Sequence, residues 1–251
     1  IKSCDEVQAM AENLDRIGID SQWNFDFQHT LEALLTNKVV MNFPPSVYDL
    51  DQEFKHGFKY FTEPQNGKEI SASSNLNFFM SHDEAGNRDG TRLLQKIIQN
   101  DLRINERLDT TGLSLNQIGQ KAASITLSLC NAYVNGHNSV WSSDAQKKLG
   151  INDHITKEEF ENAFIKAKSL HRLAMGTLFV SPGAKMMFIG DESAELAPFK
   201  FFSTYPDKEL EERISSPADK GYPIGEKAFL ESKIDKNNNT DPKTKKFAKD
   251  L

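Results

Sequence analysis

His82, Asp83 and Glu84 stand side by side directly after the apolar run Phe78-Phe79-Met80. An imidazole and two carboxyls can donate, accept and exchange protons within one short stretch. A short apolar run closed by turn residues, here Gly86-Asn87, suits a parallel strand buried on both faces. In α/β barrels the chemistry gathers where such strands end, on the C-terminal rim. The plainer reading of the same residues is a strand followed by a solvated polar loop. Asp191-Glu192 repeats the pattern after a second short apolar run, Lys185 to Ile189. Trp23, Phe25 and Phe27 interleave with Asp20 and Asp26. Rings stack on sugar faces and carboxylates accept hydroxyl hydrogen bonds, so the mixture suits a saccharide subsite; an aromatic cluster under a loop reads equally well.

The elements that must position these groups follow from periodicity. Leu31, Leu34 and Leu35 predict a helix over 27–36, with His29 a capping or packing residue at its start. Pro44-Pro45 breaks the chain. Leu50, Phe54, Phe58 and Phe61 then predict a helix over 47–61 with a core face, and a loop over 62–74 feeds a strand over 76–80. A helix through Leu94, Ile97 and Ile98 follows. Ser114 caps a helix with the face Leu115, Ile118, Ala122, Ile125 and Leu129, and Thr156 with Glu159 forms a capping box for a helix running toward Phe179. Ser181-Pro182-Gly183 stops that helix. Residues 3–18 stay open between an amphipathic helix, with Val7, Met10, Ala11 and Leu14 at helical spacing, and a strand over 7–13.

The chain has 251 residues, 38% hydrophobic and 26% charged, with net charge -6. That is ordinary globular composition for one or two domains. The acidity and the lack of a long basic run argue against a nucleic-acid partner. Lys243-Thr244-Lys245-Lys246, the densest basic patch, reads as a solvated tail. No run of about 18 apolar residues is present, so no transmembrane helix is expected. Cys4 and Cys130 leave one disulfide open but do not suggest a stapled secreted scaffold, and with no charged-then-apolar leader expected, a cytoplasmic protein is the expectation. Thr156 to Glu161 and Asp235 to Asp241 resemble calcium loops only superficially. The second lacks the Gly at six and the Glu at twelve of an EF-hand, and no metal is expected.

Asn77 to Arg88 resembles the strand-seven motif of the α-amylase family of glycoside hydrolases, and Glu84-Ala85-Gly86-Asn87-Arg88 is similar to the Asn-His-Asp-Gln-Val-Gly-Asn-Arg segment of maltooligosyltrehalose trehalohydrolases. Gly18 to His29 is similar to that family's Gly-Leu-Asp-Ala-Gln-Trp-x-Asp-Asp-Phe-His-His. Leu178 to Glu192 resembles its approach to strand eight, and Ala197 to Phe202 and Phe229 to Asp235 resemble later segments. The resemblance implies an α/β fold, a partial (β/α)8 (TIM) barrel comprising the C-terminal half, with a helical insertion before the last strand. The expected segments are 1–108 for barrel strands five to seven, 109–165 for the insertion, and 166–251 for the last strand and an extension.

The resemblance also implies roles. Retaining glycosidases use two carboxyl groups about 5–5.5 Å apart, one acid and one nucleophile. The amylase family adds a third, after strand seven, that holds sugar hydroxyls; it maps to Asp83, with His82 as a hydroxyl donor. Under the strand reading of residues 7–13, Glu12 maps to the acid. Trp23, Asp26, Asn87, Arg88, Glu192 and Phe199 map to substrate binding. No Arg-x-Asp nucleophile segment precedes the strand-seven stretch, and no strand-three Asp-x-x-x-Asn-His motif is present in this sequence. The expectation is therefore a hydrolase fragment that, when complete, cleaves the α-1,4 bond beside a terminal trehalose unit, inactive as this chain alone. Its expected partners are an α-glucan or maltooligosyltrehalose and a second chain or N-terminal segment completing the barrel. No cofactor is implied. The alternatives are a branching-enzyme-like glucan transferase and a non-catalytic scaffold derived from a degenerate barrel.

Overall fold

The computed structural model describes residues 22–56, 75–86, 91–196, 199 and 241–251. Glu12, Asn87 and Arg88 lie outside these residues, as do the stretch 3–18, Phe58 and Phe61. The fold is α/β, mostly helical with a small parallel sheet. The chain divides into two compact units, one drawn from Ile1–Phe79 and Thr177–Met186, the other from Met80–Gly176 and Met187–Leu251.

The first unit holds the sheet. Strands β1 (Gln22–Trp23), β2 (Asn75–Asn77) and β3 (Ala184–Lys185) lie in chain order, each parallel to its neighbour. Trp23 faces Leu76 across one pair, and Leu76 faces Ala184 across the other. Strand β1 passes directly into helix α1 (Phe25–Thr36), because the Asn24 side chain accepts from the Phe27 amide and caps it. Asn37 ends α1 in the left-handed conformation, and a two-residue turn, Met41-Asn42, pairs Val40 with Phe43. Helix α2 (Val47–His56) packs on α1, with the Phe27 and Phe54 rings stacked 6.2 Å apart.

Two strand expectations are corrected. Phe78, Phe79 and Met80 are buried, but the paired strand stops at Asn77. The apolar run reports burial, and burial does not require a ladder partner. The last strand is Ala184–Lys185, exposed, in place of a buried strand over 185–189. Its place is set by the Met186 amide donating to the Asn77 carbonyl at 2.8 Å.

The second unit is built from helices α3 (His82–Gly86), α4 (Leu93–Asp101), α5 (Ile104–Arg107), α6 (Leu115–Val134) and α7 (Ser143–Lys148), most of α8 (Lys157–Val180), and α9 (Pro242–Asp250). Ser114 caps α6, as the sequence predicts, with Gln117 completing a reciprocal cap, and Thr156 with Glu159 forms the predicted capping box on α8. The face of α6 starts later than expected. Leu115 is 88% exposed, while Ala122, Ile125 and Leu129 pack inward and α4 covers them. Phe160 is fully buried, with Tyr133 and Trp141 each 5.2 Å from it. Gln146 clasps Ile155 through both backbone polar groups, at 2.7 and 2.8 Å.

The basic stretch near residue 245, expected as a solvated tail, is a capped helix that keeps Lys243 and Lys246 exposed and buries Thr244. The Asp241 carboxylate accepts from the Thr244 amide at 3.0 Å and lies 3.3 Å from the Arg172 guanidinium and 3.6 Å from the Lys168 ammonium. That pairing requires α9 to lie along α8, and the Phe247 ring stands over Gly176.

Candidate functional site

The middle strand leads to the residues of interest. After Met80, the Ser81 hydroxyl and carbonyl accept from the Glu84 and Ala85 amides and start the single turn α3. His82 and Asp83 open that turn. Their side chains are about half exposed (52% and 43%), with His82 Nε2 3.4 Å from Asp83 Oδ1. Two neighbouring polar groups open to solvent can offer one donor and one acceptor to a hydroxyl-bearing ligand. The third group, Glu84, turns inward and is buried.

In the first unit, Trp23, Phe25 and Phe78 form one aromatic group. Phe78 meets Trp23 edge-on at 5.3 Å and Phe25 at 5.2 Å. Trp23 is half-buried, and Asp26 is buried in the first turn of α1. His29 packs against the Phe43 ring at 5.6 Å. The same unit holds a hydrogen-bond network that the apolar pattern does not predict. Asn77 donates to the Ser181 hydroxyl at 3.0 Å and to the Pro182 carbonyl at 2.7 Å, and accepts from Asn24 at 2.9 Å. Asn24 also donates to Glu53 at 3.3 Å. All three carboxyl or amide side chains are buried. The signal available in the sequence was an Asn directly after β1 and another at the end of β2, which the pattern of apolar residues does not weigh.

In the second unit, Glu192 and Phe199 flank a buried charge cluster. Glu192 is exposed, and its carboxylate accepts from the Gly190 amide at 2.9 Å. Phe199 is half-buried, edge-on to Phe188 at 5.0 Å. Arg92, 2% exposed, donates to the Ile189 carbonyl at 2.8 Å, lies 3.9 Å from the Asp191 carboxylate, and covers the Phe188 ring at 4.9 Å. His171 Nε2 lies 2.7 Å from the Asp191 carbonyl. Burial pushes the Asp191 carboxyl up to about 7, against the pull of Arg92. Burial also holds the His171 imidazole down at about 4, with Arg92 and Arg172 adding to the effect. Arg92 itself is lowered by burial, with Asp191, Glu195 and Glu192 opposing. Cys130 is a buried thiol pushed up to about 12 by desolvation, which makes it unreactive.

The sequence-assigned residues thus fall in two places. Trp23 and Asp26 belong to the first unit; His82, Asp83, Glu192 and Phe199 belong to the second. Among the described residues, no group of three His, Cys, Asp or Glu could hold a metal ion, and no helix is long and apolar enough to cross a membrane. No protein-family model matches the chain, and no curated protein matches it.

Proposed function

We propose that this chain is part of an α-amylase-type glycoside hydrolase related to maltooligosyltrehalose trehalohydrolase, with its sheet one portion of a (β/α)8 barrel. The observation that carries the proposal is the strand order. β1, β2 and β3 are parallel and adjacent in chain order, and His82-Asp83 comes shortly after the middle strand. A barrel of this class joins each strand to its chain neighbour, whereas a doubly wound sheet reverses its order part-way. The second support is the resemblance of the five sequence stretches named above, in the same order along the chain.

In this reading the enzyme hydrolyses the α-1,4-glucosidic bond beside a terminal trehalose. Asp83 holds sugar hydroxyls and favours the distorted ring of the transition state, and His82 donates to a neighbouring hydroxyl. Trp23 offers a stacking face. Glu192 and Phe199 bind substrate, with Asn87, Arg88 and, as general acid, Glu12 supplied by resemblance. The nucleophile comes from a further segment or a second chain, so this chain alone binds but does not cleave. The cytoplasm is the proposed place of action.

Calorimetric titration with maltooligosyltrehalose tests the proposal. Saturable binding that Asp83→Asn weakens at least tenfold supports it. A chain that binds no α-glucan is the non-catalytic scaffold instead. Trehalose release by this chain alone would contradict the proposed division of the catalytic groups.

A further inference from the structure

We propose that Arg92 is a positioning residue for substrate, holding the segment that carries Glu192 and Phe199; this rests on the glycosidase reading above. The sequence offers no hint of it, because Arg92 opens an amphipathic helix about a hundred residues before its partners. The geometry gathers the whole segment around one guanidinium. Nη1 donates to the Ile189 carbonyl at 2.8 Å, and the same nitrogen stands 3.9 Å from the Asp191 carboxylate. The guanidinium lies over the Phe188 ring, 4.9 Å from its centre, and Phe199 meets Phe188 edge-on at 5.0 Å. Gly190 lets the backbone pass this close. At φ +97, a Cβ there would stand 3.2 Å from Arg92 Nη1 and 2.8 Å from Glu195 Cβ. The Gly190 amide in turn donates to the Glu192 carboxylate. Both substrate-assigned side chains of this segment therefore depend on Arg92 through one intermediate each, Phe188 for Phe199 and Gly190 for Glu192.

Arginine suits the position for a physical reason. Its flat, permanently charged fork can donate in plane while its face stacks on a ring, and a lysine ammonium cannot do both. A buried guanidinium without carboxylates would be costly, and Asp191 and Glu195 provide the counter-charge. The segment has other anchors, His171 to the Asp191 carbonyl, Gln95 to the Leu196 carbonyl and the Asp241 amide to the Ser193 carbonyl. Arg92 can therefore be altered without releasing the segment from the fold.

The test uses the full chain with Arg92→Lys and, as a second perturbation that keeps every charge, Gly190→Ala. Hydrogen exchange is read at the amides of Gly190, Asp191, Ser193 and Glu195, and maltooligosyltrehalose affinity by calorimetry. The expected result in each variant is at least tenfold faster exchange in this segment, unchanged exchange in α6, and about tenfold weaker binding. Unchanged segment exchange overturns the proposal. So does faster exchange with wild-type affinity, which makes Arg92 a structural anchor only. A wild-type chain that binds no sugar sinks the glycosidase reading itself, a result separable from both.

Discussion

Replacing Asn77 by alanine removes three hydrogen bonds at once, the buried ones to Ser181 and Asn24 and the part-buried one to Pro182. Each such bond contributes about 1 kcal/mol net, and a buried donor left without its acceptor, here the Asn24 amide, adds about 1 kcal/mol more. The small cavity left by the lost carboxamide points the same way. The expected loss is about 4 kcal/mol, a large part of the stability of a typical domain. Urea unfolding at neutral pH, followed by tryptophan fluorescence, measures it. Trp23 lies on the strand beside β2 and reports the sheet, and the second tryptophan, Trp141, reports the helical unit. The midpoint should fall steeply for the Trp23 signal, and Asn77→Asp should recover part of the loss by keeping the acceptor toward Asn24. A loss below about 1 kcal/mol would refute the claim that this network ties β2 to the end of α8.

Other expectations concern caps, strain and titration. Thr156→Ala breaks the reciprocal cap on α8 and should cost about 1 kcal/mol by thermal or urea unfolding. Met41 sits at φ +48 with its side chain 62% exposed, so Met41→Gly should stabilise by about 1 kcal/mol, and a loss would show that the side chain packs. Two buried groups oppose one another in acid. Asp191, raised to about 7, favours the fold while it is protonated, and that contribution is lost as pH rises from about 4 through 7. His171, lowered to about 4, favours the fold while neutral, and that contribution is lost as pH falls from 6.5 toward 4. The wild type should be nearly flat across pH 4–6.5. Asp191→Asn should make stability rise with pH over that range, and His171→Gln should make it fall; parallel profiles for all three would contradict both assignments.

Local chemistry was the legible part of this fold. The caps at Ser114 and Thr156 and the Ser181-Pro182-Gly183 stop mark real helix boundaries, because each depends on residues within three positions of one another. Pairing was less legible. Phe78 to Met80 carries the composition of a strand and is buried, yet has no place in the ladder. Lys243 to Lys246 looks solvated, but Asp241 two residues earlier caps the helix and joins it to Arg172 and Lys168. Arg92 was least legible of all. Its partners lie near residue 190, and nothing within a few positions of it marks it for burial.

The proposed role of Asp83 is open to direct view. A crystal of the chain soaked with maltooligosyltrehalose should show sugar hydroxyls within about 3 Å of the Asp83 carboxylate and the His82 ring, the reach of a hydrogen bond. Ordered sugar bound elsewhere, with Asp83 and His82 facing only solvent, would contradict it.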